Sequence, residues 1–191
     1  MSDENIILEL QQGSESAFRA VVEKFQNQVY NTCLGLLQNE EDAEETSQDV
    51  FIEIYKSVKS FRGDAKLSTW IYRIATTKSL ELIRKQKRKK RFAFLQSIGG
   101  GDYETTQHVS FEHPGVILEN KEQAQTLFST IAELPENQRV VFTLHKVEGL
   151  PYQEIADVLD TSVSSVESLM FRARKNLQKK LKTYYENNFK D

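Results

Sequence analysis

Ser164, Ser165, Ser168, Arg172, Lys175 and Lys179 fall on one side of a helical wheel, with Phe171 at its edge. Short hydroxyls come first and cations follow. That order suits a helix lying in a DNA major groove, where N-terminal side chains meet base edges and later cations meet phosphates. The other side, Val163, Val166, Met170, Ala173 and Leu177, repeats at core spacing. A solvated basic face on a bundle helix would look the same, so the preceding residues decide. There Tyr152, Ile155, Ala156 and Leu159 mark a shorter amphipathic helix that Asp160 and Thr161 interrupt. Asp tolerates the left-handed backbone that a tight turn needs. Gly149 to Leu181 therefore reads as a DNA-binding helix-turn-helix.

Three further clusters stand out. Phe61, Arg62, Lys66, Trp70, Arg73 and Thr77 interleave aromatic and cationic groups around a loop at Gly63 and Asp64. Such a set can stack unpaired bases and hold their backbone, although Phe61 and Trp70 can equally be core. Next, Arg84 to Arg91 puts seven cations in eight positions, Arg84, Lys85, Lys87 and Arg88 among them. Like charges at helical neighbours repel, so phosphate is the expected counter-surface. Finally, Glu45, Gln48, Asp49 and Ile52 share a helix face, and an exposed Ile in an acidic strip fits either protein binding or plain solvation.

Catalytic chemistry finds no foothold. Cys33 is the single cysteine, inside an apolar helical run, and reads as a buried structural thiol. His108, His113 and His145 lack zinc-ligand spacing, and the GGGD stretch lacks Walker spacing, so neither metal nor cofactor is expected. The amino terminus has no basic start or long apolar core, and no apolar run reaches membrane-spanning length. We expect a cytoplasmic protein without membrane insertion, monomeric when free. Net charge is -3 over 191 residues, which alone argues against nucleic acid. The distribution reverses that argument: residues 1–83, 84–95, 96–161 and 162–191 sum to -6, +7, -8 and +4. Two local cation densities predict DNA contact at two places.

The elements that must position these groups are helices. A short one over Ile6 to Leu10 ends at Gly13. Ser14 then caps a long helix with the stripe Phe18, Val21, Val22, Phe25, Val29, Cys33, Leu36 and Leu37. Asn39 with Asp42 resembles a capping box for the next, whose buried stripe is Ala43, Ser47, Val50, Phe51, Ile54 and Val58. Ser68 is the expected cap of a third, starting near Thr69 and ending in the cationic run. Helical pattern lapses from Gln96 to Gly115, returns from Val116 to Leu134, and restarts after Pro135. The fold class is all-α: two small helical domains, 1–95 and 116–191, joined by a flexible linker, 96–115.

With those motifs in place, the chain resembles a bacterial RNA polymerase sigma factor of the extracytoplasmic-function group. DAEETSQDVFIEIYKSVKSFRGDAKLSTWIYRIA is similar to region 2, and LPENQRVVFTLHKVEGLPYQEIADVLDTSVSSVESLMFRARKNL to region 4. The resemblance implies that the first domain binds core polymerase and opens the -10 element while the second reads -35 duplex. Core polymerase, through its clamp and flap, promoter DNA and an anti-sigma factor are the implied partners. Glu45, Gln48, Asp49 and Ile52 match clamp-binding positions; Phe61, Trp70, Arg73 and Thr77 match the -10 loop and following helix; Ser168, Phe171 and Arg172 match -35 contacts. Glu167 and Leu169 stand where relatives often carry Lys or Arg, and Thr77 where Asn is common, so base preferences do not transfer. Two other readings fit parts of the chain: a stand-alone helix-turn-helix regulator, and a small nucleic-acid-processing enzyme that would need more than Asp64 near Trp70.

Overall fold

The computed structural model describes residues 3–97 and 121–188, and among them every regular element is a helix. Helix α1 (Asp3–Gln11) leads into α2 (Glu15–Leu37), whose first turn is capped as the sequence expects: the Ser14 hydroxyl accepts from the Ala17 N–H at 3.3 Å. Gln38 ends α2 in the left-handed region at φ 59, and its side-chain amide holds the bend by donating to the Gly35 carbonyl at 2.7 Å. Asn39 caps α3 (Glu40–Ser57) by accepting from the Asp42 N–H at 2.8 Å. Only half of the expected capping box forms. The Asp42 carboxylate turns away and accepts from Gln86 Nε2 at 2.9 Å, a contact that ties α3 to the next helix.

A 3-10 turn (Val58–Ser60) and the Gly63 loop lead to α4 (Leu67–Ser97). Ser68 is not its cap. The helix starts at Leu67 because that side chain is buried, 2% exposed, and its place in the core fixes the first turn. Nor does α4 stop in the cationic run. Residues 87–94 are all exposed, so water screens their repulsion and the helix continues to Ser97, taking in Gln96 from the expected linker. The remainder of that linker, with His108 and His113, and the first residues of the helical pattern from Val116 lie outside the described residues.

Four helices follow: α5 (Lys121–Ala132), α6 (Glu136–Lys146), α7 (Tyr152–Leu159) and α8 (Val163–Asn188). Val21, Phe25, Val29 and Cys33 of α2 pack with Val50 and Ile54 of α3 and Ile71 and Ala75 of α4. Val140, Val141 and Leu144 of α6 pack with Ile155 and Val158 of α7 and Val166 and Met170 of α8. The stripes hold with local adjustments: Phe18, Val22, Leu37, Ser47 and Phe51 are half-buried, while Thr46, which the pattern passes over, is buried.

These two groups of helices are docked on one another. Leu36 of α2 is fully buried against α6, α7 and α8 residues, an anchor contributing about 1.5–3 kcal/mol. Gly35 makes the approach possible, since a Cβ there would lie 2.6 Å from Thr143 Cγ2. Beside it, Arg139 is only 5% exposed and reaches the Leu36 carbonyl at 3.2 Å while also donating to the Ala132 and Leu134 carbonyls at the end of α5. A buried guanidinium is tolerated there because the negative end of α5 faces it.

Gly35→Ala should cost about 1–3 kcal/mol in denaturant unfolding, because a methyl forced against a buried threonine must displace α6. No change would mean that the two groups are undocked in solution. Asn39→Ala should cost about 1 kcal/mol wherever the groups sit, through loss of the α3 cap.

Candidate nucleic-acid interface

The turn before α8 is built from backbone chemistry. Asp160 adopts φ 51, and its N–H turns back to the Ala156 and Asp157 carbonyls while the Thr161 N–H bonds to the Ala156 carbonyl at 3.0 Å. These bonds satisfy carbonyls that end α7 without intrahelical donors. Ser162 then caps α8, its hydroxyl accepting from the Ser165 N–H at 3.2 Å. The sequence reading passed over this residue, though a Ser directly before an apolar periodic run is a cap signal.

Along α8, Val166, Met170, Ala173 and Leu177 are buried, and Ser164, Ser168, Phe171, Arg172 and Lys175 are exposed. The expected face is therefore present. Within it the serines divide. Ser164 and Ser165 share hydrogen bonds with the Ser162 hydroxyl at 3.0 and 2.9 Å, whereas Ser168 projects freely from the next turn. Phe171 is 67% exposed, a large apolar surface held in water one residue before Arg172. Arg172 and Lys175 form no ion pair with any described residue, so their charges are available to an anion.

The second cluster gathers at the start of α4. Phe61 and Trp70 stack at a tilt with ring centroids 4.8 Å apart, both half-buried, so each is part core and part surface. Together with Ser60, Arg62, Asp64, Ala65 and Arg73 they line a cleft of about 210 Å³. Thr77 is exposed one turn beyond, its hydroxyl donating to the Arg73 carbonyl at 2.8 Å.

Several cations of this cluster and of the cationic run after it are already engaged by the second group of helices. Arg73 donates from Nη2 to the Asp157 carbonyl at 2.7 Å and from Nε to the Val158 carbonyl at 3.2 Å, at the carboxyl end of α7. Lys66 pairs with Glu154 at 3.1 Å. Arg84 and Lys87 both reach Glu136, at 2.9 and 3.4 Å. Although burial pushes the Glu136 carboxyl up, the two cations hold it below its usual value. Arg62, Lys85 and Arg88 are exposed.

The acidic strip lies on another side of the molecule. Glu45, Gln48, Asp49 and Ile52 are all exposed on α3, Ile52 at 49%. Ile52 continues into a groove of about 580 Å³ between α2 and α3, lined by Phe18, Val22 and Tyr55 and flanked by Glu15, Arg19 and Lys56. Tyr55 packs edge-on against Phe18 at 5.3 Å. The sequence reading placed Phe18 and Val22 in the core and passed over Tyr55, which its spacing of three from Ile52 could have found.

The Sigma-70 region 2 family matches residues 21–89, from within α2 to the cationic part of α4. Sigma-70, region 4 matches residues 124–177, spanning the helix-turn-helix. The ECF RNA polymerase sigma-E factor of Haemophilus influenzae is 31% identical over 185 residues, covering 95% of this chain and 96% of that protein. Its Escherichia coli counterpart is 30% identical over 182 residues, covering 95% of each. Among solved structures, CnrH in complex with the cytosolic domain of CnrY aligns with TM-score 0.66 at 20% identity, over 95% of this chain and 97% of that one. The sigma factor RpoE in complex with the anti-sigma factor NepR from Bartonella quintana gives TM-score 0.64 at 21% identity, over 86% and 96%. These two share the fold of the chain. With region 2 and region 4 in order and relatives of this identity along nearly its whole length, the chain belongs to the extracytoplasmic-function (ECF) group of RNA polymerase sigma factors.

Proposed function

We propose that this sigma factor docks on core RNA polymerase through Glu45, Gln48, Asp49, Ile52 and the adjoining α2–α3 groove, and reads promoter DNA at two places. Residues 1–95 would act at the -10 element and residues 116–191 at the -35 element, with 96–115 as the linker. The observation that carries this is the pairing, in one chain, of an exposed acidic and apolar strip with an exposed hydroxyl, aromatic and cationic helix face.

On duplex DNA, a bidentate Arg172 contact with guanine would discriminate by about 1–3 kcal/mol, while Lys175 meets phosphate. At the -10 element, Phe61 and Trp70 would receive an unpaired base. Stacking of about 1–3 kcal/mol per base offsets the unstacking that strand opening requires. Arg62, Lys66, Arg73 and the Arg84–Arg88 run would track the displaced backbone. Catalysis belongs to the polymerase, and the chain has no enzymatic activity of its own. It works in the cytoplasm, as a monomer when free. Because RpoE is bound to the anti-sigma factor NepR in its solved structure, and CnrH to the cytosolic domain of CnrY, an anti-sigma partner is proposed for this chain.

Run-off transcription on genomic DNA with core polymerase should yield discrete new transcripts only when this protein is added. Specific duplex binding by the free protein, without binding to core, would replace the proposal with a stand-alone regulator. Reversing charge with Asp49→Lys should weaken core binding while leaving -35 preference intact, and Arg172→Ala should do the opposite. Equal loss of both properties from either change would contradict the division of labour.

A further inference from the structure

Where the two groups of helices meet, one pair of residues serves neither polymerase nor DNA in the reading above. Glu148 lies in the short connection between α6 and α7. Its Oε2 accepts from the Tyr72 hydroxyl at 3.1 Å, while its Oε1 is buried with no hydrogen-bond partner. Tyr72 sits on α4, 8% exposed, directly before Arg73. A carboxylate in such a place has lost most of its water and gained a single neutral donor. A carboxylic acid fits better, because burial without a partner penalises the charged form far more than the neutral one.

The surrounding groups do not rescue the charge. Tyr72 faces it from α4, and Cys33, itself buried, feels it from α2. Glu154 on α7 adds a second negative charge acting on Tyr72. Burial pushes the Glu148 carboxyl up to about 7 from its ordinary 4.5, and only the Tyr72 hydroxyl pulls it back. Separating the two groups of helices would return Glu148 to water and to its ordinary range.

We propose that Glu148 and Tyr72 form a proton-operated latch on the seam between the two groups. With Glu148 protonated, α7 stays on α4, and Arg73 and Lys66 stay bound to the Asp157 and Val158 carbonyls and to Glu154. With Glu148 ionised, the seam opens and those cations are released. The consequence for promoter opening rests on the -10 role proposed for Arg73 and Lys66; the latch itself does not.

The direction of the pH dependence follows from linkage. An acid with a higher pKa in the closed form than in the open form binds its proton more tightly when closed. Closure is therefore favoured at low pH, is progressively lost as pH rises from about 4.5, and the loss is complete above about 7. Between pH 6 and pH 8 the ratio of open to closed molecules should rise about tenfold.

Small-angle X-ray scattering of the full chain, without DNA or polymerase, reads this directly. The radius of gyration should increase from pH 6 to pH 8. Glu148→Gln, neutral at every pH, should remain compact throughout, and Tyr72→Phe, which removes the one donor favouring the charged form, should show the larger pH response. A wild-type radius that does not change with pH, or a Glu148→Gln protein that expands as the wild type does, would overturn the latch. A chain that expands with pH yet directs no transcription would keep the latch and defeat the proposed function instead.

Discussion

A helix leaves its last carbonyls without intrahelical donors, and in this chain Arg73 supplies one end of that need while remaining a cation that phosphate would also bind. Much of the structure depends on that competition. Docked, the carboxyl end of α7, Glu154 and Glu136 take up Arg73, Lys66, Arg84 and Lys87. These pairs are exposed or nearly so, and exposed pairs contribute only about 0–1 kcal/mol each. They guide the docking more than they secure it. Acidic segments interleaved with basic ones thus have a structural use inside the chain, besides any partner they meet.

Local chemistry made much of this legible in the sequence. Ser14 and Asn39 are caps, and Asp160 takes the left-handed turn, because each solves a problem of backbone hydrogen bonding within a few residues. The buried and exposed faces of α3 and α8 follow from a 3.6-residue period for the same reason. Errors arose where distant packing overrode local preference. Ser68 is a good cap by type, but burial of Leu67 draws the helix start two residues earlier, from Thr69 to Leu67. Asp42 has the spacing of a capping box, yet Gln86, 44 residues away, offers its carboxylate a better donor.

The seam lay beyond the reach of periodicity. Gly35 in the middle of α2 reads as a weak helix former, and only the position of Thr143, 108 residues on, shows that a side chain there has no room. Tyr72 and Glu148 are 76 residues apart and belong to different patterns, one the flank of an aromatic and basic helix, the other a connection. The groove beside Ile52 fell between these cases. Its Ile is visible as an apolar residue on an acidic face, but the periodicity assigns Phe18 and Val22 to the core, whereas each is half-buried and lines the groove.

The composition of the seam also explains how it can hold and still open. Leu36 and Tyr72 are large buried anchors from the first group, residues of α5 and α8 such as Ile131 and Leu177 share one buried apolar cluster with α2, α3 and α4, and polar ties add to these: Arg139 to the Leu36 carbonyl, Thr143 to the Gly35 carbonyl at 3.4 Å, Arg73 to α7. On separation, the Leu36 and Gly35 carbonyls at the end of α2 can take water instead, and Arg139 keeps its bonds to the Ala132 and Leu134 carbonyls within its own group. Water replaces a polar tie at little net cost, because such a bond contributes only about 0.5–1.5 kcal/mol. An interface that mixes apolar anchors with replaceable polar contacts is of the kind that permits domain motion. There the charge state of the half-buried Glu148 carboxyl is enough to shift the balance between the two arrangements.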